Sequence, residues 1–585
     1  MNFCLLTRSF FSKALCFFIV VVVFSRCSTS PELPVADADN GGLFLPRGFE
    51  ALVVADSTGH ARHLAVNDNG DIYVKLSSSD KLQGGIIALR DTTGDGKADV
   101  IVQFGGMDER RSAYGTGMVI HNGYLYFSSA INLYRKKLTP GKLVPDSEAE
   151  VVLKDDHEHG IHWHITKPVS FDNKGNMYIP FGAPSNACQD INNTPNGAPG
   201  GQGLDPCPEL LLHGGVWKFD ADKTGLTQKD GVKFATGIRS VVAMDWNPVD
   251  ENLYIVMHGR DNLHSLFPRV FSAWQNAVLP SEEFMKVTEG SDFGWPYCYY
   301  DQRKQQKFLA PEYGGDGTLI GRCADKNLPV MGFPGHWAPN ALLFYNGDQF
   351  PPRYRNGAFI AFHGSTNRAP YPQAGYFVGF VPFENGKPTG EWEVFADGFA
   401  GVDTIVNTSD SKYRPMGLAT GPDGSLYMTD SRKGKIWRIM YKGDGNNFGS
   451  EDLAEMENRK SRPNIKTPHE VDDDLQKNMP RNQKLYNTFC GTCHQQNGRG
   501  ARGRMPPLAG TDWVTGNKER LIAVVLNGLQ GPLEIDGESY NSVMPAHPTL
   551  NDEEIATILT YIRKSFGNNA SAITAGEVKK VRDRL

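Results

Sequence analysis

A short phrase, a turn rich in Asn, Asp and Gly followed by an apolar strand with an aromatic residue, recurs through this chain and limits its fold more than any other feature. It reads NDNGDIYV at 67–74, HNGYLY at 121–126, NKGNMYI at 173–179, DENLYI at 250–255 and PDGSLYM at 422–428, with a looser sixth, YRNGAFI, at 354–360. Such turns pinch two antiparallel strands together, and the alternation that follows gives each strand a buried face. Each instance reads as the inner hairpin of one blade of a β-propeller. The spacing, roughly 50 to 105 residues, exceeds the about 40–45 of a minimal blade, so loops must be inserted between blade strands. Insertions on one face of a rigid scaffold are where function usually sits. A β-sandwich with repeated turns is the competing reading.

The phrases span about 40–442 of 585 residues, and a chain of this length is expected to split into at least two folded units. A composition of 40% hydrophobic and 22% charged residues is that of a water-soluble body. A net charge of -6 leaves no broad basic surface, which argues against a nucleic-acid partner. Residues 1–26 have signal-peptide order: Arg8 and Lys13, an apolar run from Ala14 to Phe24, then small residues. The run is shorter than the about 20 residues that span a bilayer. Phe24-Ser25-Arg26-Cys27-Ser28 resembles a lipoprotein cleavage site with Cys27 as the lipid acceptor, although Arg26 stands where a small residue is preferred; plain cleavage nearby is the alternative. An exported protein is expected, periplasmic or associated with the outer membrane by lipid, with 27–39 as a tether.

Cysteine usage agrees with export. Cys188 and Cys207, and Cys298 and Cys323, each bracket a loop rich in Gly, Pro and Asn. In an oxidising compartment they read as two local disulfides, 188 to 207 and 298 to 323, against four free buried thiols. Asp91, Asp95 and Asp99 in DTTGDGKAD space their oxygens like part of a calcium loop without its terminal Glu, or cap a solvated turn.

Between 443 and 478 aromatic content falls and charge rises, as in a linker. A small helical domain over 479–568 follows, then a tail over 569–585. That domain contains Cys490-Gly491-Thr492-Cys493-His494. Two thiols three positions apart can each add to a haem vinyl group while the adjacent imidazole coordinates iron, the attachment signature of c-type haem. Neither a second Cys pair for zinc nor a thioredoxin-like pattern surrounds it. Met544, in a loop before the final helix, is expected as the second axial ligand, with Met505 as competitor.

Three stretches of 40–442 resemble the family of PQQ-dependent glucose and sorbosone dehydrogenases. They are HITKPVSF at 164–171 running on to Phe181-Gly182; TGIR at 236–239 with MHGRD at 257–261 and GSDFGWP at 290–296; and AFHGSTNR at 361–368 with RPMGLATGPDG at 414–424 and Ile436-Trp437-Arg438. The His-Gly-Ser and Phe-Gly-Trp-Pro segments look more like the sorbosone branch. The resemblance implies a mainly β fold, a six-bladed propeller, followed here by the small all-α cytochrome c domain. It implies pyrroloquinoline quinone (PQQ), a tricarboxylate, on one face, held by forked cations at Arg239, Arg368 and Arg414 and by His363. It further implies His164 as the base, with His162 as runner-up, and Ca2+ on the backbone carbonyls of Gly259 and Arg260. Where the glucose enzymes have Asn, Gln and an acid, this chain has Ser240, Val242 and Ala183.

The function expected is therefore an exported quinohaemoprotein: a sugar or aldehyde is oxidised at the propeller, and haem c passes the electrons singly to a respiratory acceptor. Two alternatives differ in class. One is a carbohydrate-binding propeller that carries an electron-transfer cytochrome; the other is a metal site in the histidine run 157–164, where His162 and His164 would share a strand face.

Overall fold

Each of the six turn phrases joins the first and second strands of a separate antiparallel sheet in the computed structural model, which describes residues 33–77, 85–105, 115–129, 131–155, 164–189, 197–468 and 478–585. The paired strands are Ala61–Val66 with Ile72–Leu76, Met118–His121 with Tyr124–Ser128, Ser170–Phe171 with Asn176–Phe181, Val241–Asn247 with Asn252–Met257, Pro339–Phe344 with Ala358–Phe362, and Pro415–Thr420 with Leu426–Asp430. The second of these shows why the turn chemistry matters. Asn122 and Gly123 both have positive φ, 48° and 76°, the left-handed pair that a two-residue hairpin loop demands.

Two further strands complete five of the sheets, and three complete that of Ser170–Phe171, where Ser291–Asp292 adds in parallel, giving a six-bladed propeller. Residues of all six first strands, among them Leu64, Ile120, Ser170, Asp245, Leu342 and Ala419, line one central channel. The ring is closed by the strand Phe49–Ala55, which pairs with Ile436–Tyr441 and so becomes the outer strand of the last blade. Phe49 locks that closure with ring centroids 4.8, 5.1 and 5.2 Å from Phe350, Phe395 and Tyr354, all edge-on.

The segment expected as a linker is mostly folded onto the propeller. A helix over Ser450–Arg459 buries Leu453 and Met456, and Arg459 pairs with Asp397 at 2.7 Å while its guanidinium covers the ring of Phe44. Charge made this stretch look unstructured, yet two apolar residues three apart suffice to dock one helical face. The expected tail is likewise a helix, Ala575–Arg582, whose Val578 and Val581 enter the core of the last domain.

That domain consists of the helices Arg481–Phe489, Gly491–His494, Asp512–Thr515, Lys518–Asn527, Asp552–Lys564 and Ala575–Arg582, with one small hairpin, Leu533–Ile535 and Glu538–Tyr540, added to the all-α expectation. The Asp552–Lys564 helix begins at a capping box between Asn551 and Glu554, carries acids in its first turn and ends on Arg563 and Lys564, as the helix dipole favours. Among the described residues no helix is long and apolar enough to cross a membrane. The expected signal segment 1–26, the lipid site Cys27 and the runner-up base His162, with the rest of the histidine run ahead of His164, lie outside the described residues.

Candidate functional site

A blade's first strand begins, and its second strand ends, at the end of the hairpin opposite the turn, so residues flanking those two points collect on one face of the ring. His164, Arg239 and Arg414 precede first strands of three blades, whereas His258–Asp261 follow the second strand of Arg239's own blade and His363 that of a fourth. The approach is close: a Cβ on Gly182 would lie 2.0 Å from the His164 carbonyl oxygen, so only glycine lets the strand end of that blade pass behind His164.

His164 Nδ1 donates to the Ala183 carbonyl at 2.7 Å. A carbonyl only accepts, so the proton sits on Nδ1 and Nε2 keeps its lone pair. Burial, reinforced by the Arg239 charge, holds His164 well below the usual imidazole range, hence neutral. The position where the glucose enzymes carry an acid thus orients His164 here through its backbone. Ser240 accepts from the His258 amide through its carbonyl at 3.1 Å, and Val242 is buried.

Arg239 is fully engaged by protein groups: Nη2 reaches Asp261 Oδ2 at 3.0 Å and Asn186 Oδ1 at 2.9 Å, Nη1 reaches the Gly259 carbonyl at 2.7 Å, and Nε reaches the Asn186 carbonyl at 3.2 Å. Asp261 also accepts from Asn367 and lies 3.5 Å from His336. Burial alone would make it a weaker acid, but Arg239 and His336 outweigh that and hold it ionised far below the carboxylate range.

Arg368, Arg414 and Arg62 form a different group. Arg62, unforeseen in the sequence, bonds Thr116 Oγ1 through Nε at 3.3 Å and Nη2 at 2.9 Å, and Arg414 Nε donates to the His363 carbonyl at 3.1 Å. Arg368 is 1% exposed, and its Nε and Nη1 have no partner. Among the described residues none of the three pairs with a carboxylate. Burial pulls Arg62 and Arg368 down to about 10, Arg62 further because it faces Arg414. Arg368 and Arg414 converge on Tyr376, whose ring lies 5.8 Å from the Arg414 guanidinium and whose buried hydroxyl is also unpartnered. His363, held well below its ordinary range by burial and by Arg414 and Arg62, bonds Ser431 Oγ at 2.6 Å. His258 interacts electrostatically with both His164 and His363, joining the two halves of the face.

A fully buried guanidinium with two unpartnered nitrogens beside an orphaned hydroxyl fits a polyanion, and a tricarboxylate quinone in particular, since Arg368 keeps charge-assisted bonds in reserve. Calcium fits poorly. The Gly259 carbonyl already accepts from Arg239, and two cations at one oxygen repel strongly in a buried site. Asp91, Asp95 and Asp99 hold no cation site either: their carboxylates accept from the backbone amides of Thr92, Thr93, Gly94, Gly96 and Lys97, which makes DTTGDGKAD a capped turn. Among the described residues no three His, Cys, Asp or Glu side chains are grouped to hold a metal.

Disulfides join Cys188 to Cys207 and Cys298 to Cys323, bracing two insertions beside this face. Cys490 and Cys493 are free thiols in an apolar cavity with His494, Met505 and Met544, lined also by Gly197, Pro199, Asn262 and Leu266 of the propeller. His494 Nδ1 donates to the Pro506 carbonyl at 2.9 Å, which leaves Nε2 as the ligating atom. Burial pushes the thiols up, Cys490 to about 12 and Cys493 to about 11, with Asp261 of the propeller adding to the second. The attachment motif therefore faces the propeller site. Bonds from His264 to Thr488 at 3.2 Å, Asn407 to Asn497 at 3.1 Å and Gln495 to the Thr366 carbonyl at 3.2 Å hold the domains together.

Two outcomes follow directly. Replacing Cys490 and Cys493 with Ser is expected to abolish haem that survives denaturing electrophoresis, read by haem staining, while the propeller's circular dichroism is retained. Stability should also fall on acidification below about pH 6.5, the unfolded histidine value. His63, pulled down to about 4 by burial, and His164 and His363 stay neutral when folded but take up protons when unfolded. Their stabilisation is thus complete above pH 6.5 and is lost toward pH 4, which thermal melts across that window would measure.

Known proteins resemble this chain in both parts. A family described as TrAA12-like matches residues 43–442, and one described as cytochrome c matches 481–565. The PQQ domain of pyranose dehydrogenase from Coprinopsis cinerea superposes with a TM-score of 0.53 at 16% identity, over 68% of this chain and 97% of that one, a likeness of fold. Cytochrome c-552 of Thermus thermophilus is 45% identical over 108 residues, 17% of this chain and 82% of its own length. An uncharacterized protein of Borreliella burgdorferi is 30% identical over 222 residues, 37% of this chain, which spans 50% of that relative. The narrower sorbosone branch is not part of these matches.

Proposed function

This chain belongs to the TrAA12-like family, with a C-terminal cytochrome c domain, and we propose that it oxidises a small sugar or aldehyde with PQQ and drains the electrons through its own haem c. The observation that carries this reading is Arg368, fully buried with two unpartnered guanidinium nitrogens beside the half-buried Arg62 and Arg414, none of which pairs with a carboxylate among the described residues, on the face toward which the haem pocket opens. PQQ, when bound, supplies a two-electron acceptor for hydride, which a one-electron haem can then discharge in two steps.

The chain's own groups do the rest. The three arginines and His363 bind and orient the tricarboxylate. Nε2 of His164 accepts the substrate hydroxyl proton, with the ring fixed by the Ala183 carbonyl. Arg239, held rigidly by Asp261 and Asn186, sets a fixed positive charge beside that base. The docked cytochrome domain shields this face from water. Cys490 and Cys493 would hold the haem and His494 would ligate its iron. Met544 is the better second ligand: Met505 adjoins Pro506, the residue that steadies His494, and so lies on the histidine's own flank.

Export with a lipid on Cys27 and a respiratory electron acceptor belong to the same proposal. Two disulfides support an oxidising compartment.

The test is a visible spectrum of the oxidised, haem-loaded protein, followed on adding PQQ and then a panel of pyranoses and aldehydes. The relative named pyranose dehydrogenase suggests beginning with pyranoses. Reduced c-type bands that need both PQQ and substrate support the reading. Sugar binding with an unchanged haem spectrum overturns it in favour of a binding module.

A further inference from the structure

Gln495, the residue after the haem ligand His494, stands in an unusual place. Its backbone has φ 63° and ψ 161°, a region that is essentially glycine's alone. It is nonetheless a long polar residue, completely buried at 0% exposure. Glycine would relieve the strain, so the side chain is retained for its contacts. Nε2 donates to the Thr366 carbonyl at 3.2 Å and to the Thr492 carbonyl at 3.0 Å, while Oε1 accepts from Gln373 Nε2 at 3.3 Å.

Gln373 carries the connection onward: its Oε1 accepts from the backbone amide of Arg368 at 3.2 Å. This matters because Arg368 Nε and Nη1 bond nothing. A guanidinium held for a ligand must be positioned by its backbone. The loop bearing it is pinned from the propeller by Asn276 on the Asn367 carbonyl at 2.9 Å, and from the haem domain by Gln495 and by Gln496 on the Pro370 carbonyl.

We propose that Gln495 is a positioning residue for the quinone pocket: through Gln373 it sets the backbone of Arg368, so the folded cytochrome domain completes the PQQ site as well as receiving its electrons. This rests on the assignment of Arg368 to PQQ. Haem domain and cofactor pocket are then thermodynamically linked, and disturbing the contact weakens cofactor binding before any electron moves.

The experiment is equilibrium dialysis of the haem-loaded full chain against PQQ, with the haem spectrum as the check on folding. Gln495→Gly, which relieves backbone strain, is expected to keep a normal haem spectrum and bind PQQ about tenfold more weakly, the effect of one lost positioning bond. Gln373→Ala should show the same loss, and the double variant no greater loss than either, because the two act as one relay. Wild-type affinity in Gln495→Gly overturns the proposal, as does full additivity in the double variant. If Gln495→Gly fails to fold, Gln373→Ala decides alone. Failure of the underlying reading looks different: the wild type takes up no PQQ, or Arg368→Met binds it as well as the wild type.

Discussion

Substitution of His164 by Asn lowers sugar-dependent haem reduction about a thousandfold while PQQ affinity stays within about threefold. The magnitude is that of losing a positioned general base, about 10²–10⁴ in rate. Asn is the informative replacement because its amide can still donate to the Ala183 carbonyl, as Nδ1 does at 2.7 Å, but it has no lone pair able to take a proton. His164 is neutral well below the usual imidazole value, so its base form is fully present at neutral pH. Its protonation should therefore limit the rate only at pH well below the usual imidazole value. Stopped-flow reduction of the haem across pH measures both effects. Turnover within tenfold of wild type in His164→Asn would mean that another group takes the proton.

Arg368→Met is expected to move two quantities in opposite directions. PQQ affinity drops about a hundredfold, since a buried charge-assisted contact contributes about 1.5–3 kcal/mol. The cofactor-free protein becomes more stable by about 1–3 kcal/mol, because a guanidinium with unsatisfied nitrogens leaves the interior and an apolar chain of similar length replaces it. Arg239→Met makes the contrast. Its removal takes the main cation from the half-buried Asp261 and leaves it with Asn367 and His336, a loss of roughly 1–3 kcal/mol. Thermal melts of the two variants, with and without PQQ, separate a binding arginine from a structural one; a fall in melting temperature for Arg368→Met would show that its guanidinium supports the fold.

The six hairpins were legible because their turns need particular residues at particular positions, and the haem motif because its chemistry is confined to five consecutive residues. Local spacing also located both cysteine pairs. The helix over 450–459 was hidden because a charged composition says nothing about two well-placed apolar side chains, Leu453 and Met456. Asp261, Arg62, Tyr376 and Gln495 were missed for another reason: each becomes informative only beside residues far away in the chain. Asp261 closes a quoted motif, and Gln495 directly follows the haem signature, yet nothing in the sequence says that one meets Arg239 and the other Gln373. The three arginines were named together, but only burial and hydrogen bonding divide them into Arg239, which is satisfied, and Arg368 and Arg414, which pair with no carboxylate among the described residues.

The closure of the ring by Phe49–Ala55 has a consequence for biogenesis. That strand is among the first parts of the propeller to leave the ribosome, and its partner Ile436–Tyr441 is the last. Until the partner arrives, the first-made strand is an open edge and the aromatic cluster around Phe49 is incomplete, so the toroid cannot close stepwise from its beginning. The chain beyond 441 emerges from the blade that closure completes. Closure therefore precedes docking of the haem domain, and a nascent chain released before residue 436 would be an unsealed ring, prone to pair with a second copy through its exposed edges.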